Sequence, residues 1–238
     1  MSTATAAFKP FHRVVACLVL AVLAGAGLST GLQDNFRGST PAPWWFVVED
    51  GATVRQGNGN LSFSVPPGAV GRQFAGYLNG GYTLDFASAW NTSIRYSLRQ
   101  YSPVVGATYG AVTLFGFSNE RDEQIVVAPY VYRTVRGAFL GLVRIDQSGL
   151  ALQEIGAIPP AGSLEVAYTP AGDRLQVSIN GTVRWTGRSF TRGMPGYGLN
   201  IWGIGAVGWH GARENPFRDG IAISQFKAGG PGLVPLTP

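Results

Sequence analysis

The chain has 238 residues, of which 34 are glycine, 12% are aromatic, 13% are charged and only one is cysteine. This composition excludes a disordered chain and a helical bundle, and it fits a turn-dense β protein large enough to bury one sizeable core. The net charge of +5 comes from singly scattered residues, nearly all arginine. With no basic cluster to follow a phosphate backbone and no recognition helix, no nucleic-acid partner is expected.

The first segment reads as an export signal. Lys9, His12 and Arg13 make a basic start, and Val14 to Leu28 is an almost wholly apolar run, shorter than the ~20 residues that cross a bilayer as a helix. Ala24-Gly25-Ala26 supplies a small-x-small cleavage pattern, so residues 1–26 are expected to be a cleaved signal, with an uncleaved membrane anchor as the alternative. Cys17 lies ahead of most of the apolar run, the wrong order for a lipoprotein acceptor. Cleavage leaves residues 27–228 as one β domain and 229–238 as a flexible Gly/Pro tail, with no cysteine and no transmembrane segment. A domain of this size has enough core to stand without disulfides. The expected location is secreted, either extracellular or periplasmic.

Strand candidates then follow one another with short turns between them: Phe46–Glu49, Thr53–Gln56, Asn60–Val65, Gly81–Phe86, Ser93–Tyr101, Tyr109–Phe117, Gln124–Tyr132 and Ala138–Ile145. They continue at Leu150–Ile155, Leu164–Tyr168, Arg174–Asn180, Thr182–Thr186, Gly198–Ile204 and Ile221–Lys227. In Ser93–Tyr101, Ile94, Tyr96 and Leu98 share one face, opposite Arg95, Ser97 and Arg99. Val112 to Phe117 is apolar on both faces, as a central strand is. Pro129 cannot donate to a ladder, so an edge or a bulge is expected there. Trp44 and Trp45 are adjacent and should point to opposite faces. The clearest stretch is Leu164 to Trp185, where period-two alternation is broken by Pro170-Ala171-Gly172-Asp173 and by Asn180-Gly181. That pattern predicts consecutive antiparallel hairpins. Many short strands without interspersed helices predict an all-β sandwich or barrel.

Asp34-Asn35-Phe36, then Pro43-Trp44-Trp45-Phe46 and Asn58-Gly59-Asn60-Leu61-Ser62-Phe63, open the domain. Gly116-Phe117-Ser118-Asn119, Gly172-Asp173-Arg174-Leu175 to Asn180-Gly181, Pro195-Gly196-Tyr197-Gly198-Leu199 and Asp219-Gly220-Ile221-Ala222-Ile223 follow in order. The series resembles the concanavalin A-like lectin/glucanase domains of exported bacterial proteins. The resemblance implies a two-sheet antiparallel jelly-roll sandwich whose last strand returns beside the first, with a concave face or rim loops able to hold a glycan. Fold alone leaves the activity open.

Glucanases of this fold carry carboxylates in a Glu-x-Asp-x-Glu pattern on one strand face, because acid and nucleophile must flank one bond at about 5–5.5 Å. The nearest match, Glu120-Arg121-Asp122-Glu123, lacks that spacing and falls where a hairpin turn is expected. Jelly-roll lyases use His and Tyr with Arg and Gln. Beyond the export segment only His210 is available, with Tyr197, Arg213 and Glu214 as candidate neighbours. No cofactor is expected. A structural calcium would need Asp34 and Asp219 to meet through pairing of the terminal strands. Neither a nucleophile elbow nor a dinucleotide loop is present.

The remaining constellation is aromatic. Sugars offer apolar C–H faces and a belt of hydroxyls, so a site for them pairs an exposed ring with Asn, Asp, Arg or Glu. Tyr197, Asn200, Trp202, Trp209, His210, Arg213 and Glu214, followed by Asn215, have that mixture. The stretch from Gly205 to Asp219 is longer than a tight hairpin needs. The expectation is a secreted, non-catalytic module that binds a polysaccharide or glycoconjugate, or serves in surface interaction. A polysaccharide-cleaving enzyme with a divergent site at His210, Arg213 and Glu214 is the alternative, as is a purely structural envelope or matrix protein.

Overall fold

The computed structural model describes residues 31–64, 71–98, 108–134, 136–188, 196–210 and 218–236. Among these there is no helix, and the strands in chain order begin with β1 (Leu32–Asp34), β2 (Trp45–Asp50), β3 (Thr53–Gly57), β4 (Asn60–Ser64), β5 (Gly71–Asn79) and β6 (Tyr82–Leu84). Next come β7 (Trp90–Leu98), β8 (Thr108–Ser118), β9 (Gln124–Thr134), β10 (Gly137–Asp146), β11 (Gly149–Ala157) and β12 (Ala161–Thr169). The series closes with β13 (Arg174–Ile179), β14 (Thr182–Arg188), β15 (Gly198–His210), β16 (Arg218–Gly229) and β17 (Leu233–Pro235).

Two antiparallel sheets form the sandwich. One is eight-stranded, in the order β14-β13-β12-β7-β16-β4-β3 with β1 also on β16. The other is seven-stranded, in the order β11-β10-β9-β8-β15-β5-β2. Their inner faces meet in one core. Along β7, Trp90, Thr92, Ile94, Tyr96 and Leu98 are buried and the alternate residues are not, the period-two pattern of a sheet with one wet face. The hairpins at Leu164 to Trp185 are present, with Leu164, Val166, Tyr168, Leu175, Val177 and Ile179 all buried. Asn180 and Gly181 sit at φ 51° and 75°, the left-handed pair that a two-residue hairpin turn demands. Trp45 is buried and Trp44 half-buried.

Three strands escaped the alternation pattern, and β15 runs beyond its expected end. In β5 and β15 the cause is glycine. Gly76 lies in a stretch with no strand candidate and Gly205 at the start of the expected loop, yet both lie inside paired strands. A Cβ at Gly76 would sit 2.3 Å from the Ile204 carbonyl oxygen, so only a bare backbone fits there. β15 therefore continues to His210, where a long loop from Gly205 was expected. Pro129 also departs from expectation. It lies in β9 between β8 and β10, at neither an edge nor a bulge. The β8–β9 ladder skips the positions beside it and resumes in the same register at Phe115↔Val127. One lost donor is tolerated because β10 still pairs with Pro129 through Leu142. The carboxy-terminal tail is likewise held in place: Leu233–Pro235 pairs with β6 and the Leu233 side chain is buried.

The entry of the chain is fixed by Asp34. Its carboxylate accepts from the Phe36 amide at 2.7 Å and from the Trp45 indole Nε1 at 3.0 Å. The first bond holds Phe36 at φ 53° with its ring fully buried, and the second satisfies an otherwise dry indole. Trp45 in turn packs edge-on against Phe226 of β16 at 4.8 Å, joining the two sheets. Asp34→Ala should destabilise the fold by about 2 kcal/mol, because a buried donor is left unpaired. On a Trp45→Phe background the same change should cost measurably less, as a double-mutant cycle in urea will show.

Candidate functional site

One end of the seven-stranded sheet gathers a polar cluster from three segments. Asn119 folds the β8–β9 turn: its Oδ1 accepts from the amides of Arg121 and Glu123, both at 2.9 Å. That turn delivers the Glu123 carboxylate to the Asn119 amide nitrogen at 2.6 Å and to the Tyr197 hydroxyl at 2.9 Å. Tyr197 immediately precedes β15, and its ring leans on the main core. From the β10–β11 turn, Gln147 also bonds Glu123. Beside it Asp146 accepts from the Ser148 amide and hydroxyl and from Arg144 Nε. The Tyr197 hydroxyl, Asn119 and Gln147 hold the Glu123 carboxyl below its ordinary range, and the carboxylate in return pushes the Tyr197 phenol up. Ser148 and Arg144 hold the Asp146 carboxyl down in the same way.

The outer face of the same sheet is different. Outward positions alternate along Phe74, Gly76 and Leu78 in β5, Ile201, Gly203, Gly205 and Val207 in β15, and Gly110, Val112, Leu114 and Gly116 in β8. They continue through Val126, Ala128 and Tyr130 in β9 and Val143 and Ile145 in β10. These side chains form a second apolar cluster, separate from the core. A shallow groove in it has room for about 70 Å³, and every lining residue is apolar. The sheet is thus apolar on both faces.

The structure separates the sequence-predicted site residues. Tyr197 is half-buried in the polar cluster, and Asn200 is exposed at the bulge of β15 between Leu199 and Ile201. Trp202 belongs to the core, not to a binding surface: it is 1% exposed, and its Nε1 donates to the Tyr82 carbonyl at 2.8 Å. Trp209 and His210 end β15, paired with Arg72 and Gly71 of β5; their side chains are outside the described set. Arg213, Glu214 and Asn215 lie outside the described residues. At about 3.3 Å per residue, β15 puts His210 about 40 Å from Tyr197. The expected convergence of His210 with Tyr197 is therefore corrected.

The pairing of Asp34 with Asp219 is corrected too. β1 does lie on β16, but Asp34 stands opposite Phe226, while Asp219 is near the other end of the strand. Among the described residues no group of three or more His, Cys, Asp or Glu side chains converges as a metal site. Glu123 entered the sequence reading as part of the nearest match to the glucanase carboxylates and was read there as a turn residue. The signal for its role was local, an Asn four positions before a Glu in a hairpin. Nothing in the sequence announces its partner Tyr197, 74 residues away.

No protein-family model matches the sequence, and no curated protein is detectably similar to it. Solved structures do match. Peanut lectin, in complex with a nine-residue peptide, superposes with a TM-score of 0.53 at 13% identity, over 89% of this chain and 100% of that one. An endo-1,3-beta-glucanase from Streptomyces sioyaensis gives 0.52 at 10% identity, over 87% of this chain and 100% of the glucanase. A non-specific endo-beta-1,3(4)-glucanase of family GH16 gives 0.54 at 12% identity, over 83% and 89%. The fold is concanavalin A-like.

This concanavalin A-like sandwich lacks the paired carboxylates of the glucanase pattern on the outward positions of β5, β8, β9, β10 and β15, which carry no Asp or Glu. The carboxylate at the edge, Glu154 of β11, is occupied by the Tyr132 hydroxyl at 3.0 Å and by Arg136 at 2.9 Å. A glycosidic general acid must stay protonated near neutral pH. Glu123 is pushed the opposite way. Because its folded value lies below its unfolded one, its contribution to stability is complete above the ordinary carboxylate range and is lost as pH falls through the folded value. In a carbon-detected NMR titration, Glu123 should titrate below 4.5, and Tyr197→Phe should move it upward toward that value.

Proposed function

We propose that this protein is an exported, non-catalytic binding module that holds a saccharide at the Tyr197 end of its seven-stranded sheet. The observation that carries the reading is the cluster of Tyr197, Glu123, Asn119 and Gln147. A half-buried ring is set among an ionised carboxylate and two side-chain amides, the combination that meets the C–H face and the hydroxyl edge of a sugar. Asn200, exposed at the adjoining bulge, extends the same rim. The carbohydrate-related proteins among the structural neighbours support the scaffold's suitability. The depressed Glu123 carboxyl favours holding a ligand over protonating one.

A glycan array with the exported domain should show a preferred saccharide class. For that class, Glu123→Gln and Tyr197→Ala should each weaken binding about tenfold, the worth of a hydrogen bond to a charged group. Trp209→Ala, at the far end of β15, should leave affinity unchanged. Incubation with the bound polysaccharide should release neither reducing ends nor unsaturated products. Binding indifferent to both Tyr197 and Glu123, or steady product release, overturns the reading.

Export rests on the basic start, the apolar run from Val14 to Leu28 and the Ala24-Gly25-Ala26 pattern. Sequencing the amino terminus of the protein recovered outside the cytoplasm should find Gly27 first. A chain that begins at its original terminus would argue for an anchor instead.

A further inference from the structure

The eight-stranded sheet turns a polar face outward, and charge is unevenly shared on it. Val54, Ile94, Leu175, Trp185 and Phe226 take inward positions on β3, β7, β13, β14 and β16. The alternation therefore puts Arg55, Arg95, Arg174, Arg188 and Lys227 outward, and all five are exposed. Among the described outward side chains of this sheet, Glu165 of β12 is the one carboxylate. The ion pairs Arg136–Glu154 and Arg144–Asp146 belong to the other sheet. The side chains of the five cations make no hydrogen bond or ion pair with any described residue.

The register sets these cations in a diagonal stripe. Gln225 stands opposite Arg95, so Lys227 lies two residues along the neighbouring strand, about 7–8 Å from Arg95. Arg55 is level with Ser62, Ala222 and Ser97, three strands from β7 and about 16 Å from Arg95. On the other side Arg174 is two strands beyond β7, about 20 Å from the Arg95–Lys227 pair, and directly opposite Arg188. Like charges directly opposite destabilise a ladder, so the Arg174–Arg188 pair costs stability until an anion lies between them. Between these points the outward side chains are short and polar, among them Asn91, Ser93, Gln176 and Ser178, and no described aromatic ring stands outward.

A chain that lies along this stripe must carry negative charge sparsely and hydrogen-bonding groups in between. A nucleic-acid strand is a poor match, with one charge per ~3.4 Å and bases that need rings to stack on. An anionic membrane is a poor match too, because the described face has no Trp, Phe or Leu to insert. We infer that the outer face of the eight-stranded sheet binds an acidic polysaccharide, its charged groups at the five cations and its hydroxyls on the serine and amide side chains between them. This surface belongs to the other sheet from the Tyr197 rim, and the inference stands without that rim.

The test is calorimetric titration of the exported protein with polygalacturonate in which about two-thirds of the carboxylates are methyl-esterified, and with the fully esterified polymer as uncharged reference. The charged polymer should bind at least about tenfold more tightly, with affinity falling as salt rises. Arg95→Gln combined with Lys227→Gln should weaken it about fivefold, the worth of two exposed ion pairs, and Glu165→Gln should strengthen it about twofold. Arg174→Gln should weaken binding while its urea midpoint holds or rises, since the like-charge pair is relieved. Tyr197→Ala should leave this affinity unchanged, and the cation variants should leave the rim's preferred saccharide bound as before. Equal affinity for the fully esterified polymer, or indifference to Arg95 and Lys227, overturns the proposal. Tighter binding of duplex DNA or of phosphatidylglycerol vesicles at the same salt, lost in the same variants, overturns it in favour of that occupant.

Discussion

The close approach of β15 to β5 is the constraint from which the other features follow. Gly203 and Gly205 alternate with Trp202, Ile204 and Ala206, so β15 puts bulk into the core and bare backbone on the outer face. The Ile204 carbonyl stands 2.3 Å from where a Gly76 Cβ would be, and the Ala75 carbonyl 2.4 Å from where a Gly205 Cβ would be. Any side chain there would push two central strands apart. The same alternation fixes the fate of Trp202: on a strand with glycine outward, the tryptophan goes inward, between the sheets and 5.9 Å from Phe226.

A sheet that is apolar on both faces differs from the usual antiparallel sheet, which keeps one face wet. The eight-stranded sheet follows that rule, with exposed or half-exposed residues alternating along β7 and β13. The seven-stranded sheet departs from it, with Val112 and Leu114 buried on its outer side and Phe115 and Phe117 on its inner side. The central side chains of that outer side, Val112, Leu114, Ala128 and Tyr130, are almost wholly out of solvent. On this sheet the polar groups able to meet a hydrophilic ligand are displaced to the rim, where three segments bring Asn119, Gln147 and Tyr197 around Glu123.

The fold was legible in the sequence wherever alternation was strong. Leu164 to Trp185 shows this best, because its turns use Asp173 and Asn180 in left-handed conformations that few other residue types adopt comfortably. Legibility failed where glycine stood in place of a side chain: β5 and the second half of β15 carry the right period, but alternate members are blank. The site was legible only in part. Tyr197 and Asn200 were candidates through composition, as an aromatic beside polar residues, and they lie in the polar cluster and exposed at the adjoining bulge. Trp202 was drawn in by the same composition, although a strand interior decides its direction. Glu123 was set aside because sequence reveals a turn but not the 74-residue separation that the sandwich closes.

The division between core, outer face and rim also bears on why the glucanase carboxylate pattern has no place on the described outer face of this sheet. Acid and nucleophile need two carboxylates on one strand face, at different protonation states and within about 5–5.5 Å. On β8 the corresponding alternation is Gly110, Val112, Leu114 and Gly116, packed against Ala128 and Tyr130. Placing charges there would desolvate both without hydrogen-bond partners, and burial of that kind costs far more than a surface pair returns. Moving the chemistry to the rim meets a different obstacle, because the bonds that hold Glu123 in position are the ones that keep it ionised. The described outer face thus offers apolar contact alone, and the rim offers hydrogen bonds around a carboxylate held in its ionised form.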